Sequence, residues 1–477
     1  MLCNNRHTPL TRRAALVDLA AGFGSIALAG LLARTGIADG VSRDVTAGAD
    51  GGKLGLPHYL PRAKRVIFLF MHGGPSQVDT FDYKPLLTRD HGKPLPFAKP
   101  RVQFAKTGSL LASPWKFRQY GQSGAWVSDL FPNVARMVDD LCFVKSLHGS
   151  NPAHGGALLK IHTGSDTFIR PSMGSWVSYG LGTENDNLPA FITICPTLGH
   201  GGVNNFSSGF LPAWTHGTPI GHAGVPASSA QFEHMTAGLP RELQRKELDF
   251  LQKLNAQHQN AQGSDSALEG RIASFELAFR MQATAPAVMD LQGESDATKQ
   301  LYGIDEKKTE NFGRQCLLAR RFAQAGVRFV QVTHSYKWDQ HGNLRAEHTS
   351  NAAEVDKPIA GLLQDLKAHG MLEDTLVLWG GEFGRTPTAQ DGEDGRDHNP
   401  HGFTMFMAGG GVKAGFSYGE TDDYGYYATV NKVDVPDLHA TILALMGIDH
   451  ERLIYRHGGR DHRLTDVKGR VVSDLFA

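Results

Sequence analysis

The sequence feature that most constrains the fold is an apolar segment late in the chain that runs directly into a glycine pair and an acidic residue. Residues 376–379 have the length and composition of a buried β-strand, and Gly380 and Gly381 interrupt it. Glu382 follows at the carboxyl end of this predicted strand. Open α/β sheets bind their ligands at the carboxyl ends of strands. The segment therefore predicts a buried strand that ends in a functional carboxylate.

Similar apolar segments alternate with segments of helical periodicity along the chain. Predicted strands cover residues 65–71, 141–146, 191–195, 327–333, 376–379 and 403–407, and predicted helices cover 130–137, 241–257, 267–281, 352–369 and 436–445. Strand-helix-strand order over this length favours an α/β fold with a mostly parallel central sheet and helices on both faces. We expect a single domain at 61–477, with a loop and helical insertion at about 197–300.

Histidine and carboxylate residues cluster beside these predicted strands. The candidate metal ligands are His72, Asp339, His341, Glu382, Asp397, His398 and His401. Because the carboxyl ends of parallel strands meet at one edge of a sheet, residues far apart in sequence can converge there. Histidine with carboxylate and no cysteine suits zinc, manganese or iron, whereas magnesium and calcium are less favoured. The alternative is a hydrogen-bonded polar network without a metal.

The charge balance and the cysteine content narrow the range of possible partners and covalent cross-links. The chain of 477 residues has 48 basic and 48 acidic residues, so a balanced surface gives no reason to expect nucleic acid as a partner. Cys142, Cys195 and Cys316 lie far apart within apolar segments, which predicts buried thiols and no disulfide framework. The oligomeric state cannot be read from these features.

The first 38 residues have the pattern of an export signal. Arg12 and Arg13 precede an apolar segment at 19–33 that is too short to span a bilayer comfortably. The arginine pair resembles a twin-arginine signal, and an ordinary secretion signal is the alternative. We expect export to the periplasm or cell surface, a linker at 39–60, and no stable membrane span after signal removal.

A second candidate site precedes the helical segment that starts near residue 154. Pro152 suits a first helical turn, and a helix N-terminus offers free N–H groups to an anion. Ser150 is a candidate nucleophile there, or else an N-cap residue.

Five segments of the sequence resemble a known bacterial family. Residues 70–85, 338–343, 381–387, 395–402 and 459–466 are similar to the family called domain of unknown function 1501, which is abundant in planctomycetes and typically carries a twin-arginine signal. That family resembles a divergent branch of the alkaline phosphatase and sulfatase superfamily. The resemblance implies an alkaline-phosphatase-like fold.

The resemblance also implies roles for individual residues. Asp339 and His341 match the superfamily's metal-binding pair, and His398 or His401 matches its late histidine. Glu382 stands where an Asp-His pair is expected, and His72 where a metal-binding aspartate is expected. The position of the catalytic nucleophile falls on His154, and the Cys-x-Pro-Ser-Arg motif of sulfatases is absent from the sequence.

The sequence-based hypothesis is an exported hydrolase that uses a divalent metal, with zinc first and manganese, calcium or magnesium as alternatives. The substrate would be a small anionic ester or a sulfated or phosphorylated polymer. Water or Ser150 would attack the ester, His154 would act as general acid or base, and Arg385 would bind the substrate's charge. The rival hypothesis is a catalytically inactive member of the superfamily that acts as a binding or assembly protein outside the cytoplasm.

Overall fold

The computed structural model describes residues 55, 57–98, 106–233, 235, 239–262, 266–390 and 394–477. These residues belong to one compact unit, Ala47–Ala477. The predicted export signal and most of the predicted linker lie outside the described residues. Within the described part of the chain, no helix is both long enough and apolar enough to cross a membrane.

Strands occur along almost the whole described length of the chain. They are β1 Arg65–Met71, β2 Thr107–Leu110, β3 Phe117–Tyr120, β4 Ala125–Ser128, β5 Leu141–His148, β6 Phe191–Ile194, β7 Thr218–Ile220, β8 Phe329–His334, β9 Thr375–Gly380, β10 Gly384–Arg385, β11 Thr388–Gln390, β12 His398–Asn399, β13 Phe403–Ala408, β14 Phe416–Tyr418, β15 Glu420–Thr421, β16 Ala428–Val430, β17 Val433–Asp434, β18 Tyr455–His457 and β19 Arg460–His462.

The helices lie between these strands. They are α1 Gln77–Thr80, α2 Pro85–Arg89, α3 His154–Thr163, α4 Met173–Leu181, α5 Arg241–Gln262, α6 Ser266–Met289, α7 Asp296–Leu301, α8 Glu310–Gln324, α9 Leu344–Ala368 and α10 Val435–Leu445. Short 3₁₀ helices occur at Val134–Asp140, Gly202–Asn205, Ala213–Thr215, Leu372–Asp374 and Ser473–Leu475.

The central sheet has nine strands, in the order β14-β5-β13-β9-β1-β8-β6-β7, with β17 also paired to β5. Strand β1 is central and pairs in parallel with β8 on one side and β9 on the other. This arrangement confirms the predicted α/β fold with a mostly parallel sheet. Within this sheet, the antiparallel pairings of the described strands are those of β13 with β5 and with β9.

Strand β1 shows how the sheet is buried on both faces. Ile67, Leu69 and Met71 belong to one apolar cluster, which includes side chains of α8 and α9. Phe68 and Phe70 point the other way, into a second cluster with α3, α4 and α10. A strand that is apolar at every position suits this environment, because both faces are covered by helices. Each large side chain that is fully buried stabilises the fold by about 1.5–3 kcal/mol.

One sequence-based prediction differs from the structure at the level of elements. The predicted helix at 130–137 is a 3₁₀ helix that starts later, at Val134–Asp140. The first part of the predicted insertion, 197–232, contains two short 3₁₀ helices and the strand β7.

Candidate metal centre

The candidate site lies where three neighbouring parallel strands end. Met71 of β1 is in register with His334 of β8, and Phe70 is in register with Gly380 of β9. The segments that leave β1, β8 and β9 therefore start side by side at one edge of the sheet. The sequence placed candidate ligands directly after each of these strands, and the structure brings them together.

The turn after β1 explains the glycine pair in its sequence. Gly73 has φ +119°, and a Cβ atom there would lie 2.7 Å from the backbone of Trp338. Because the turn has no side chain at this position, the Gly73 N–H can donate to both carboxylate oxygens of Glu382, at 3.1 and 3.2 Å. These bonds fix the carboxylate at the carboxyl end of β9 against the exit of β1.

Asp339 is the residue on which most of the cluster's contacts converge. Its Oδ1 lies 3.2 Å from Nε2 of His154, 2.9 Å from Nε2 of His341 and 3.0 Å from Nε2 of His398. The guanidinium of Arg385 also donates to Oδ1, at 2.6 Å. Burial by itself raises the pKa of Asp339, but these four neighbours together lower it well below its usual range.

His154 and Glu382 form a second, more deeply buried pair. Nδ1 of His154 lies 2.7 Å from Oε1 of Glu382. Burial raises the pKa of Glu382, but the contact with His154 and the nearby imidazole of His72 outweigh it and lower the pKa to about 2. Burial lowers the pKa of His154, and its contacts with Asp339 and Glu382 outweigh that effect and raise it. His154 therefore connects the two carboxylates of the cluster.

His72 is buried without a hydrogen-bond partner among the described residues. The residue is 1% exposed, and within the described part of the chain neither ring nitrogen has a partner. Burial lowers the pKa of His72 to about 4, so the ring is neutral at physiological pH. A buried polar group without a partner costs about 1–3 kcal/mol, so native structures rarely contain one without a functional reason.

The side chains form three overlapping groups whose ligand atoms lie within 4.8 Å of one another. The groups are His72 with His154 and Glu382, His154 with Asp339 and His398, and His341 with Asp397 and His398. Six of the seven ligands proposed from the sequence belong to these groups, and so does His154, which the sequence assigned to catalysis. Each group has the histidine and carboxylate composition that transition metals and zinc favour.

Two residues proposed from the sequence, His401 and Ser150, lie outside the three groups. His401 is exposed and packs beside the rings of Tyr426 and Tyr427, outside the three groups. Ser150 is exposed and donates to Asp166 at 2.8 Å. It is not the N-cap of α3, since that position is Ala153.

Arg385 is fully buried, in contrast to the expected substrate-binding role. Its guanidinium donates to the backbone carbonyl oxygens of Gly73, Gly74 and Trp338, and to that of Arg396. These carbonyls belong to the segments that follow β1 and β8 and to the segment that precedes β12. With these bonds and the one to Asp339, each nitrogen of the guanidinium has an acceptor, so Arg385 positions the backbone of the site.

A second buried arginine extends this support. Arg396 and Asp79 are both 0% exposed and form two bonds, of 2.7 and 3.0 Å. Ser76 also donates to Asp79, at 2.6 Å. The pair connects helix α1, which follows β1, to the segment that carries His398. Burial raises the pKa of Asp79, but the charge and bonds of Arg396 outweigh it and lower the pKa.

Two residues at the site were missed by the sequence reasoning. The hydroxyl of Tyr336 donates to Oδ2 of Asp339 at 2.5 Å, and its ring centroid lies 4.8 Å from that of His72. His200 stacks on His154 at 5.1 Å and covers the cluster from the solvent side. Tyr336 lies two residues after β8, and this position was a signal that could have identified it. His200 comes six residues after β6, a parallel neighbour of β8, so the same signal was present, but the irregular segment that carries it contains other histidines and gave no reason to choose among them.

Comparisons with known proteins give the following similarities. A family model described as "Protein of unknown function (DUF1501)" matches residues 63–476. No curated protein sequence matches the chain significantly. The lipoteichoic acid synthase LtaP from Listeria monocytogenes is similar in structure, with 8% identity and a TM-score of 0.37, over 87% of this chain and 78% of that chain.

Two further solved structures are similar at the same level. A protein in the alkaline phosphatase superfamily from Vibrio parahaemolyticus has 9% identity and a TM-score of 0.37, over 84% of this chain and 71% of that chain. The alkaline phosphatase from the Antarctic bacterium TAB5 has 12% identity and a TM-score of 0.33, over 80% of this chain and 98% of that chain.

Proposed function

The chain belongs to the family described as "Protein of unknown function (DUF1501)", and we propose that it is an exported, metal-dependent hydrolase of phosphate or sulfate esters. The observation that carries this proposal is the buried, neutral and unpartnered imidazole of His72, which lies within ligand distance of His154 and Glu382. A neutral imidazole is the form that binds a metal. A cation at this position would supply the missing partner.

The protonation of His398 also supports a cation. Its Nδ1 lies 2.6 Å from the carbonyl oxygen of Pro152, so the proton is on Nδ1 and is donated to that carbonyl. Burial lowers the pKa of His398 to about 4, so the ring is neutral and Nε2 carries a lone pair. That lone pair faces Oδ1 of Asp339 at 3.0 Å and Nε2 of His341 at 3.1 Å. The bond to Asp339 raises the pKa of His341, so in the metal-free protein a proton on that ring supplies positive charge here. A metal ion in place of that proton would be bound by the same atoms.

The residues present fit a divalent metal, and zinc fits best. His72, His154 and Glu382 would form one binding group, and Asp339, His341 and His398 would extend it. Nitrogen and carboxylate ligands without cysteine suit zinc and manganese better than calcium or magnesium. A bound divalent metal polarises an ester oxygen and lowers the pKa of a water molecule.

The protein side chains orient the ligands. Glu382 accepts the Nδ1 proton of His154, which turns Nε2 of that ring toward Asp339. Tyr336 donates to the second oxygen of Asp339 and restricts its rotation. The exposed ring of His200 stacks on the ring of His154, with 5.1 Å between the centroids.

The charge balance favours an anionic substrate. Arg385 neutralises Asp339, and Glu382 is the single carboxylate of the group that contains His72. A divalent cation bound by that group therefore has net positive charge, which attracts a phosphate or sulfate ester. Because Ser150 is bonded to Asp166, the proposal assigns the attack to water, with a small ester or a sulfated or phosphorylated polymer as substrate.

Export is proposed from the sequence of the leader. The arginine pair Arg12 and Arg13, followed by an apolar segment, is typical of a signal for folded proteins. Export of the folded chain would allow the metal to be bound in the cytoplasm before the protein reaches the periplasm or cell surface. Expression of the chain with both arginines changed to lysine should leave it unprocessed in the cytoplasm.

One observation favours the rival function, in which the protein binds a ligand without turnover. The hydroxyl of Ser150, the nucleophile proposed from the sequence, is directed to Asp166 and is solvent-exposed. The rival predicts that metal-loaded protein binds anionic esters but hydrolyses none of them. A panel of phosphate and sulfate mono- and diesters therefore distinguishes the two functions.

Metal content tests the proposal directly. We expect about one or more equivalents of tightly bound metal per chain, because a site built from several buried protein ligands holds its ion firmly. His72→Ala should lower the metal content and the hydrolytic activity together, since it removes a ligand but no hydrogen bond of the described residues. His401→Ala is the matched control, because this exposed histidine lies outside the three ligand groups. Wild-type protein with substantially less than one equivalent would contradict the proposal.

A further inference from the structure

Helices α5 and α6 form a hairpin whose inner face is polar. Arg245 of α5 donates to both carboxylate oxygens of Glu276 on α6, at 2.8 and 2.7 Å. Gln252, two turns further along α5, donates to the same carboxylate at 2.5 Å. The contact between the two helices therefore depends mainly on charged and amide groups, together with the buried ring of Phe279 on α6, which lies under the guanidinium groups of Arg241 and Arg245.

Most of the large apolar residues of α5 face solvent instead, and Leu248 is half-buried. Leu243, Phe250, Leu251 and Leu254 are 45%, 61%, 44% and 45% exposed. Leu243, Phe250 and Leu254 are spaced by seven and four residues, which places them on one side of an α-helix. At 3.6 residues per turn, the centre of this apolar face lies roughly 170° around the helix from the side that carries Arg245 and Gln252.

This orientation is the reverse of what a helix on a monomer shows. A surface helix normally turns its apolar side to the core and its charged side to water. Here the bidentate pair of Arg245 and Glu276 fixes the polar side inward, so rotation of α5 cannot bury the leucines. We propose that the apolar face of α5 is a dimer interface, at which the same helix of a second copy of this chain packs.

The size of the face fits an interface between two copies. Four large side chains that are about half exposed present roughly 300–400 Å² of apolar area, as much as the largest patch on a typical monomer, and such patches are often functional. A standard interface buries about 800 Å² per partner, with an apolar centre and a polar rim. The charged side chains that flank the apolar face can supply that rim. In a two-fold arrangement one contact covers the apolar faces of both copies.

The charges on α5 favour a protein partner over a membrane. Helices that lie on membranes carry mainly lysine and arginine on the polar side. Helix α5 carries four basic side chains, and three acidic ones lie among them: Glu242, Glu247 and Asp249. Glu247 lies close to the apolar face, where contact with anionic lipid would be unfavourable.

Sedimentation velocity of the full chain at micromolar to sub-millimolar concentrations tests the proposal. Wild-type protein should reach twice the mass of one chain as its concentration rises. Phe250→Glu with Leu254→Glu should have the mass of one chain throughout, with an unchanged circular dichroism spectrum and melting temperature. Val467→Glu is the matched control, because Val467 is 80% exposed and lies far from α5 in sequence. This variant should dimerise like the wild type.

Three results would overturn the proposal. The first is that the wild-type protein has the mass of one chain at every concentration. The second is that the double substitution leaves the dimer intact. The third is that the protein binds to phosphatidylglycerol vesicles and the double substitution abolishes this binding. None of these results depends on metal or activity, so the dimer can fail while the hydrolase proposal stands.

Discussion

Replacing His72 with leucine should stabilise the metal-free protein. Both ring nitrogens of His72 are buried without a hydrogen-bond partner among the described residues, and each such group costs about 1–3 kcal/mol. Leucine has a similar volume and no polar atom, and swaps that roughly conserve volume cost less than about 1.5 kcal/mol. Two unpartnered groups cost about 2–6 kcal/mol, so the free energy of unfolding should rise by at least about 0.5 kcal/mol. A stabilising substitution at a fully buried histidine is unusual, which makes the result informative.

The order of stability should reverse when metal is added. A ligand present at a hundred times its dissociation constant stabilises the folded state by about 2.7 kcal/mol. Wild-type protein should gain this amount, whereas His72→Leu lacks one ligand and should gain much less. The wild type should therefore be the less stable protein with chelator and the more stable protein with zinc.

Urea denaturation with chelator or with excess zinc measures both values. His162→Leu is the matched control, because His162 is also buried but its ring nitrogens have partners, with Nδ1 2.8 Å from the Leu158 carbonyl oxygen and Nε2 3.0 Å from Nε2 of Gln331. This variant should lose about 1–3 kcal/mol in both conditions. If His72→Leu destabilises the metal-free protein as much as His162→Leu does, the reasoning about the unpartnered ring is wrong.

Two further predictions concern charged groups. Asp79→Asn leaves Arg396 buried without its carboxylate, so urea denaturation should show a loss of about 3–5 kcal/mol in the free energy of unfolding. Asp461→Asn is the control, because this exposed ion pair should contribute less than about 1 kcal/mol. Equal losses in the two variants would refute the argument. In metal-free protein the pKa of His154 is raised above its ordinary value of 6.5. Its contribution to stability is therefore complete below pH 6.5 and is lost as the pH rises through the folded-state pKa. His154→Gln should flatten the fall in unfolding free energy above that pH, and an unchanged slope would contradict the assignment.

The sequence predicted the strands of the core but not all of their directions. Residues 65–71 are apolar at almost every position, and they form the doubly covered strand β1 as expected. Residues 403–407 also predicted a strand, yet β13 pairs antiparallel with both of its neighbours. A parallel neighbour of β9 requires a crossover, usually a helix, and the chain between Gly380 and Phe403 has no helical pattern. The absence of a helical pattern in this segment was therefore the sequence signal for an antiparallel pairing.

The sequence located the site better than it assigned roles within it. His72, Asp339 and Glu382 were predicted to lie together because each follows a predicted strand, and the carboxyl ends of parallel strands lie at one edge of the sheet. His398 and His401 are three residues apart in one loop, and spacing alone cannot say which of them faces inward. Pairing of β12 with β10 directs His398 to the cluster, whereas His401 follows the strand and is exposed.

The role of Arg385 depended on tertiary structure that the sequence does not contain. A glycine-rich segment with an arginine near carboxylates favours substrate binding, and nothing local shows that backbone carbonyls surround the side chain. His200 was missed for a related reason, because it reaches the site from an irregular segment after β6 in which nothing local shows that its ring stacks on His154. Contacts between loops that are far apart in the chain leave no periodic pattern in the sequence.

The bonds of Arg385 have a consequence for how the site responds to different ions. Its guanidinium connects the backbone on either side of the cluster through four carbonyl oxygens, and its remaining bond is to Asp339. Because these backbone bonds do not need an ion, we expect the loops to keep the same path when an ion binds, while side-chain torsions adjust to its radius. Discrimination between zinc and manganese should then arise from the imidazoles and carboxylates alone, and exchange of one ion for the other should leave the backbone in place.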